Sequence, residues 1–256
     1  MVIATWNVNS IRMRLPHVLE WLAEHRPTVL CLQETKVEDA LFPRSEFDQL
    51  GYHLSIAGQK SYNGVAIIST LPIEDAQIGL PGDPPHAEKR MISATIAGIR
   101  VINVYVPNGS EVGSEKFSYK LDFLSRLRDA MTKWTADGRA AILLGDFNVA
   151  PEARDVYDPA AMEGQVLFHP DERSALAAVK SVGLEDVYRL HHSETGRYSW
   201  WDYRMNAFRR NMGLRIDHVW TTPDHARSCA ACEIDTAPRK REKPSDHAPV
   251  VATFSL

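Results

Sequence analysis

The sequence contains few cysteines and no long hydrophobic run. Three cysteines in 256 residues are too few for the disulfide framework of a small secreted protein. Cys229 and Cys232 form a lone C-x-x-C without the second pair that a four-ligand zinc site needs. No stretch approaches the roughly 20 apolar residues of a membrane-spanning helix. The amino terminus lacks the basic region of a secretory signal, so we expect a cytoplasmic protein that acts on nucleoid DNA if DNA is its substrate.

The sequence also lacks an excess of positive charge. It has 33 acidic and 29 basic residues, which gives a formal net charge of −4. This balance excludes a polybasic protein that binds nucleic acid through bulk charge alone. It does not exclude a nucleic-acid enzyme, because a cluster of metal-binding carboxylates would shift the total towards acid. Since no repeat, low-complexity tract or Gly/Ser linker interrupts the chain, we expect a single domain over residues 1–256.

Short apolar runs alternate with amphipathic segments, which indicates an α/β protein. The spacing predicts a helix over Pro16–His25 and another over Glu115–Asp137, with Ser114 as N-cap of the second and Gly138 as its end. The predicted strands are Val2–Val8, Val29–Leu32, Gly64–Ser69, Met91–Ile96, Arg100–Val106, Ala140–Leu144, Gly213–Thr221 and Val250–Phe254. Several of these runs are apolar on both faces, so we expect sheets that are covered on both sides, as in a layered α/β sandwich.

Polar side chains end or closely follow several of the predicted strands, lie inside Gly213–Thr221 in the case of Asp217, and precede the last strand in the case of Asp246 and His247. They are Asn7, Asn9, Glu34, Tyr105, Asn108, Asp146, Asn148, Asp217, Asp246 and His247. The strand ends of one sheet system tend to meet at a common rim, where loops on a rigid scaffold carry function. Nearly all of these side chains offer oxygen and only one is an imidazole, which suits Mg²⁺ or Mn²⁺ better than zinc or copper. The set therefore predicts metal-assisted attack of water on a phosphoester.

Each of these features, taken alone, also has a simpler interpretation. Glu34 could be a solvated loop residue, and the Gly145–Asn148 segment could be a turn. The Pro244–Val250 segment could be a capped turn before the last strand. Asp217 is harder to explain in this way, because a carboxylate inside an apolar run needs a partner.

Eight short motifs follow one another along the chain. They are Trp6–Ser10, Leu32–Lys36, Gly58–Lys60 with Tyr62–Ala66, Asn103–Asn108, Leu144–Asn148, Tyr198–Arg204, Gly213–Asp217 and Lys243–Pro249. In this order they resemble the exonuclease III family of AP endonucleases, within the endonuclease/exonuclease/phosphatase superfamily of DNase I-like enzymes. The resemblance implies a four-layer α/β sandwich, with two facing mixed sheets flanked by helices and the active site at one edge between them. Ser10 stands where the family often has glycine, which implies an altered local turn.

The resemblance also implies roles for the polar residues. The implied catalytic residues are Tyr105, Asp146, Asn148, Asp217 and His247. The implied metal ligands are Asn7, Glu34 and Asp246, with Asp146, Asn148 and His247 as a second site if two ions bind. Asn148 and Tyr105 would contact the scissile phosphate. Asp146 would position or deprotonate the attacking water or protonate the leaving group, whereas His247, oriented by Asp217, would bind phosphate or act as the base. The sequence leaves open which of the two is the general base and how many metals bind.

Double-stranded DNA with abasic sites or damaged 3′ ends is the partner that the resemblance implies. Trp200, Leu214 and Ile216 match positions that form an apolar pocket for a flipped abasic sugar, although Trp200 could instead be a core aromatic residue. The implied further DNA contacts are Asn9, Arg90 and Asn108. We therefore predict a monomeric, Mg²⁺-dependent phosphodiesterase of base excision repair, in which Mn²⁺ can replace Mg²⁺.

The sequence leaves the dominant activity open. AP endonuclease, 3′→5′ exonuclease and 3′-phosphatase activities all fit, and the Tyr157–Asp171 segment, where family members vary, can decide between them. A same-fold phosphoesterase acting on RNA or a small phosphoester is an alternative, which the DNA-type motifs disfavour. A catalytically silent DNA-binding module is another, which the retained Glu34, Asp146 and His247 disfavour.

Overall fold

The protein contains two six-stranded β-sheets that face each other. The structure is a computed structural model that describes residues 1–136 and 138–255. The first sheet contains β1 (Val2–Asn7), β2 (Val29–Gln33), β3 (His53–Ala57), β4 (Val65–Ser69), β11 (Cys229–Ile234) and β12 (Val250–Phe254). The second contains β5 (Glu74–Ile78), β6 (Met91–Ile96), β7 (Ile99–Tyr105), β8 (Ala141–Asp146), β9 (Glu185–Asp186) and β10 (Asp217–Thr221). The strand orders are β11-β12-β1-β2-β4-β3 and β5-β6-β7-β8-β10-β9.

Each sheet holds a parallel pair of strands at its centre. β1 is parallel to β2, with Asn7 opposite Gln33, and β7 is parallel to β8, with Tyr105 opposite Asp146. β10 runs antiparallel to β8 and brings Asp217 opposite Asp146. Because parallel strands end at the same edge of a sheet, each sheet collects its polar residues at one edge. A hydrogen bond between Asn7 and Asp146 joins the two edges.

Aliphatic side chains fill the space between the sheets. Ile3 and Val29 of the first sheet pack with Ile92 and Leu144 of the second, and all four are fully buried. Leu143, the neighbour of Leu144 on β8, belongs to a separate cluster on the outer face of the second sheet. The apolar run before Asp146 is therefore buried on both faces, as predicted.

Helices cover the outer faces of both sheets and complete four layers. The described helices are α1 (Ile11–His25), α2 (Arg44–Asp48), α3 (Glu115–Thr135), α4 (Pro159–Met162), α5 (Pro170–Lys180), α6 (Val187–His191) and α7 (Pro223–Ala226). Of these, α6 and α7 pack against the cluster between the sheets. α1 buries Val18, Trp21 and Leu22 against the first sheet, and α3 and α5 pack on the second. The predicted four-layer α/β sandwich is confirmed. In the described part of the chain, none of these helices has the length and hydropathy to cross a bilayer.

The two predicted helices are present with changed ends. α1 begins at Ile11 instead of Pro16, which lies inside the helix. Proline removes one intrahelical hydrogen bond to the carbonyl of Arg12, and water can replace that bond because Arg12 is exposed. α3 ends at Thr135, and Asp137, the predicted last residue, lies outside the described residues.

The predicted strand Gly213–Thr221 is regular only over β10. Before it, Leu214 forms isolated bridges with Val156 and Trp200. The sequence did not predict β3, β5, β9 or β11. β5 is exposed along its whole length, so it lacks the apolar alternation from which a strand can be recognised.

The amino-terminal cap of α3 leads to a prediction about stability. Ser114 Oγ accepts a hydrogen bond from the Phe117 amide at 3.2 Å and so satisfies one of the free amides at the start of the helix. We expect Ser114→Ala to lower the free energy of unfolding by about 1 kcal/mol, measured by urea denaturation. Ser118→Ala, one turn later on the exposed face, is the control. Equal stability of the two variants would contradict the capping role.

Candidate active site

Asn7 joins carboxylates that come from the two facing sheets. Its Nδ2 donates to Glu34 Oε1 at 2.8 Å and to Asp146 Oδ2 at 2.9 Å. Its Oδ1 accepts a hydrogen bond from the Asn9 amide at 3.0 Å, so the amide oxygen is already engaged. Asn7 is fully buried. Its carboxamide therefore fixes the spacing of Glu34 and Asp146, and its role as a metal ligand stays a prediction.

Glu34, Asp146 and His247 form a group whose donor atoms can share one ion. One carboxylate or imidazole atom of each lies within 4.8 Å of the others. The two carboxylates fit a divalent cation that prefers oxygen ligands, and the imidazole could contribute its Nε2 only after losing its proton. Glu34 Oε2 is 2.7 Å from Lys36 Nζ, which partly balances the negative charge of the group. The residues present therefore fit a divalent metal ion.

Asp246 lies beside this group. Its Oδ1 accepts a hydrogen bond from Asn9 Nδ2 at 3.0 Å, and its Oδ2 accepts one from Trp200 Nε1 at 2.9 Å. Burial raises the pKa of Asp246, but the charge of His247 and these two hydrogen bonds outweigh burial and leave the pKa below its ordinary value. Asp246 is therefore a fixed carboxylate next to Trp200, and its role as a metal ligand stays a prediction.

His247 and Asp217 form a buried pair next to Asp146. His247 Nδ1 is 3.1 and 2.9 Å from the two carboxylate oxygens of Asp217, and His247 Nε2 is 3.7 Å from Asp146 Oδ2. Burial lowers the pKa of His247, but Asp217 and Asp146 outweigh burial and raise the pKa to about 10. Burial also raises the pKa of Asp146 to about 7, against the charge of His247. At neutral pH His247 therefore holds its proton. Which of Asp146 and His247 is the general base stays a prediction.

Asn148, which follows the end of β8, is held by four residues. Its backbone amide donates to Asp146 Oδ1 at 2.9 Å, and its side chain donates to the Val106 carbonyl at 3.0 Å. Asn108 Nδ2 donates to Asn148 Oδ1 at 3.2 Å. Lys120 Nζ donates to the carbonyls of Asn108 and Asn148 at 3.0 and 2.6 Å. Asn108 and Asn148, the two predicted carboxamide residues, therefore contact each other, and Lys120 holds the backbone of both.

Lys120 is a site residue that belongs to none of the eight motifs. It is fully buried and pairs with the equally buried Glu172 of α5. It lies on the buried face of α3 with Phe117 and Leu124. A lysine on the apolar face of an amphipathic helix is the signal that could have identified it, because a buried ammonium group needs partners.

Tyr105 ends β7 between Arg90 and Glu34. The guanidinium carbon of Arg90 lies 4.8 Å from the centre of the Tyr105 ring, which is within cation–π range. Burial raises the pKa of Tyr105, and the carboxylates of Glu34 and Asp146 raise it further. The phenol therefore keeps its proton and serves as a hydrogen-bond donor at the edge of the metal group.

Several residues at the site adopt backbone angles that favour glycine. The φ angles include 44° at Asn9, 51° at Glu34, 50° at Asn148 and 90° at Ser10. Ser10 is therefore a non-glycine residue held at positive φ, and an altered turn relative to the family stays a prediction. The Ser10 amide donates to the Glu34 carbonyl at 2.7 Å, so this turn braces Glu34. Backbone strain of this kind clusters at functional positions, where the surrounding structure maintains it.

An apolar cavity of about 510 Å³ lies next to the polar cluster. It is lined by Tyr157, Met162, Leu167, Trp200, Asp202, Arg204, Met205, Ala207, Met212 and Leu214. Trp200 reaches both regions, because it lines the cavity and its Nε1 bonds Asp246. Ile216 is fully buried and packs in the same cluster as Leu214. Two of the three predicted pocket residues therefore line the cavity, and the variable segment from Tyr157 supplies part of its wall.

The sequence is similar to curated nucleases over nearly its whole length. The sequence model of the endonuclease/exonuclease/phosphatase family matches residues 4–247. Exodeoxyribonuclease III of Haemophilus influenzae is 35% identical over 267 aligned residues, which cover 99% of this chain and 100% of that protein. Exodeoxyribonuclease of Bacillus subtilis is 32% identical over 223 residues, which cover 85% of this chain and 86% of that protein.

The structure is similar to solved nuclease structures over the whole of both chains. The 3′ phosphatase NExo from Neisseria, bound to a product DNA hairpin, has a TM-score of 0.98 and 41% sequence identity. An AP endonuclease from Archaeoglobus fulgidus has a TM-score of 0.96 and 45% identity. In both cases the match covers 100% of this chain and 100% of the other. These similarities confirm the resemblance predicted from the eight motifs. The chain belongs to the endonuclease/exonuclease/phosphatase family.

Proposed function

We propose that this chain is a metal-dependent phosphodiesterase of DNA repair that cuts DNA 5′ to abasic sites and processes 3′ ends. One observation carries the proposal: an oxygen-rich metal group, a protonated histidine and an apolar cavity adjoin one another at a single edge of the sandwich. The related proteins are an exodeoxyribonuclease III, a 3′ phosphatase and an AP endonuclease. Their names confirm the predicted class, a DNA-repair nuclease.

Glu34 would hold the metal ion, with Asp146 and His247 beside it. We take the ion to be Mg²⁺, for which Mn²⁺ can substitute, because the group offers mainly carboxylate oxygen. A bound divalent ion supplies stabilisation of the charge that develops on the phosphate and on the leaving oxygen.

Asp146 is the proposed acid–base residue of hydrolysis. It can accept a proton from the attacking water on a carboxylate oxygen and later return it to the leaving oxygen. Asn7 and Asn148 fix its two oxygens through hydrogen bonds. Because its pKa lies near neutrality, both proton transfers are accessible at physiological pH.

His247 is the proposed cationic contact of the scissile phosphate. Asp217 holds Nδ1 of its ring, so that Nε2 carries a proton towards the edge where Asp146 lies. An imidazolium in this place donates a hydrogen bond to a phosphate oxygen and cannot act as a base until it loses its proton. The phenol of Tyr105 and the carboxamide of Asn148 are the proposed neutral donors to the same phosphate.

The apolar cavity is the proposed site for a sugar without a base. Most of its wall is aromatic and aliphatic, and its two charged residues, Asp202 and Arg204, pair with each other, so the wall offers little to pair with a nucleobase. Extrusion from the duplex is easiest where no base stacks. The three predicted DNA contacts each touch a side chain of the site. Asn9 donates to Asp246, Arg90 lies over Tyr105, and Asn108 donates to Asn148. We propose that the protein acts as a single-domain monomer in the cytoplasm.

A substrate panel tests the proposed function. An abasic duplex, a duplex with a 3′-phosphate and an intact blunt duplex are each incubated with Mg²⁺, and with EDTA as control. We expect Mg²⁺-dependent incision of the first and phosphate release from the second. Turnover of RNA or a small phosphoester far faster than any of these DNA substrates would replace the proposal with a different substrate class. Absence of Mg²⁺-dependent cleavage of all substrates would refute it.

Glu34 is expected to determine metal affinity. Glu34→Gln keeps the hydrogen bond from Asn7 possible through its side-chain oxygen but removes the negative charge. We expect the dissociation constant for Mn²⁺ to rise at least about tenfold, measured by isothermal titration calorimetry. Glu38→Gln, a variant outside the metal group, is the matched control. Unchanged affinity in Glu34→Gln would show that the metal is held elsewhere.

A further inference from the structure

Arg239 is a buried cation that contacts three aromatic rings. Its guanidinium carbon lies 4.9 Å from the ring centre of Phe208 and 5.8 Å from those of Trp201 and Tyr203, within cation–π range. Arg239 is only 6% exposed, and its Nη1 donates a hydrogen bond to the Ser245 carbonyl. One guanidinium therefore contacts two separate segments of the chain.

Ser245 connects this contact to the catalytic residues. Its hydroxyl donates to the Asn7 carbonyl at 2.6 Å and accepts a hydrogen bond from the His247 amide at 3.2 Å. Asn7 in turn spaces the carboxylates of Glu34 and Asp146. A shift of Ser245 would therefore move the imidazole and the metal group together.

The aromatic residues around Arg239 belong to the segment that lines the apolar cavity. Asp202, Arg204 and Met205 of this segment form part of the cavity wall. Between 201 and 212, all of which the structure describes, there is one short 3₁₀ turn and no strand. Such a segment keeps its shape through side-chain anchors. A second side-chain anchor contacts the residue before Ser245, because Tyr203 Oη donates to the Pro244 carbonyl at 2.9 Å.

An apolar residue in the place of Arg239 would avoid the free-energy cost of burying a charged group. The guanidinium Nε is buried and has no hydrogen-bond partner among the described residues, which costs free energy. Methionine could pack between the rings but could not hold the Ser245 carbonyl. Arg239 therefore adds a connection between the three aromatic rings and the Ser245 carbonyl.

We propose that Arg239 is a positioning residue that links the wall of the apolar cavity to His247 and Asn7. The inference rests on the proposed function, since it assigns the cavity to the substrate. A substrate in the cavity holds the aromatic segment in place, the rings hold the guanidinium, and the guanidinium holds Ser245. Through this chain of contacts, filling of the cavity favours the catalytic geometry.

The test compares Arg239→Met and Arg239→Lys with Arg227→Met. Arg227 is exposed and pairs with Asp224 on α7. Because α7 follows the end of β10 that lies opposite to Asp217, replacing Arg227 removes the same charge far from the site. On an abasic duplex we expect Arg239→Met to lower kcat by about 10- to 100-fold and to raise KM. We expect Arg239→Lys to recover part of kcat and Arg227→Met to match the wild type.

Hydrogen–deuterium exchange provides a readout that does not depend on activity. In Arg239→Met we expect faster exchange in residues 202–208 and 244–249, with unchanged protection in β1, β2, β7 and β8. Wild-type kcat in this variant would overturn the proposal, and so would faster exchange spread evenly over the protein. If the wild type cleaves no DNA, the proposed function fails, and the exchange pattern still decides whether Arg239 fixes these two segments.

Discussion

Replacing Asp146 with asparagine is expected to lower kcat on an abasic duplex by about 10³-fold. Asparagine has the same shape and keeps an oxygen for the Asn7 hydrogen bond, but its amide nitrogen replaces the oxygen that accepts from the Asn148 backbone amide. It cannot accept a proton from water at neutral pH, and it removes the carboxylate that lies 3.7 Å from His247 Nε2. Single-turnover kinetics with saturating Mg²⁺ would measure the chemical step directly.

The same substitution is not expected to weaken folding. Burial raises the pKa of Asp146 to about 7, well above its ordinary value of 3.8. An acid with a raised pKa in the folded state loses stability as the pH rises from the unfolded value to the folded one. At pH 8 without metal, removal of this buried charge should therefore offset the lost hydrogen bond from Asn148, and Asp146→Asn should have a free energy of unfolding close to that of the wild type.

Urea denaturation in EDTA checks this expectation. Asp129→Asn, an exposed variant on α3, is the matched control. A destabilised Asp146→Asn variant would mean that its low activity reports folding, and the acid–base role would lose its support.

Arg215→Met is expected to lower the free energy of unfolding by about 3–5 kcal/mol. Arg215 Nε donates to Asp155 Oδ1 at 2.7 Å, and its Nη2 donates to Asp186 Oδ2 at 2.8 Å. All three side chains are almost fully buried. Removal of the arginine leaves Asp186 without this cation, while Asp155 keeps Arg189 as a cationic partner. The cost comes from the uncompensated buried charge more than from the lost contacts.

The pH dependence of the free energy of unfolding distinguishes an uncompensated buried charge from a simple packing defect. Burial raises the pKa of Asp155 and of Asp186, but Arg215 outweighs burial and leaves both pKa values below 3.8. Their contribution to stability is complete above pH 3.8 and is lost as the pH falls through the folded values. The difference in stability between wild type and Arg215→Met should therefore narrow in acid. Arg227→Met serves again as control, and a difference that does not depend on pH would contradict the electrostatic account.

The polar ends of the strands could be predicted because their chemistry is local. Glu34 and Asp146 follow apolar runs and His247 comes just before one, and carboxylates or an imidazole in such places have few structural reasons to be there. Parallel pairing of β1 with β2 and of β7 with β8 then brings the ends together. The motifs and the layered fold were therefore recognisable from residue order alone.

What the sequence did not reveal depends on contacts between distant segments. Lys120 resembles any lysine of an amphipathic helix until the fold places Asn108 and Asn148 around its ammonium group. Arg239 stands in a basic run with Lys240 and Arg241, where the plain interpretation is a solvated charge. Only the tertiary structure shows that one of these three is enclosed by aromatic rings.

The position of β1 has a consequence for the order of events in the cell. β1 lies between β2 and β12, and Val2 pairs with Thr253. β1 therefore waits for β12, which leaves the ribosome roughly tens of seconds later at about 5–20 residues per second. Until then Asn7 has no Ser245 to hold its carbonyl, and the metal group has no imidazole. The topology itself keeps a nascent nuclease inactive until the segment from Ser245 to β12 has been synthesised.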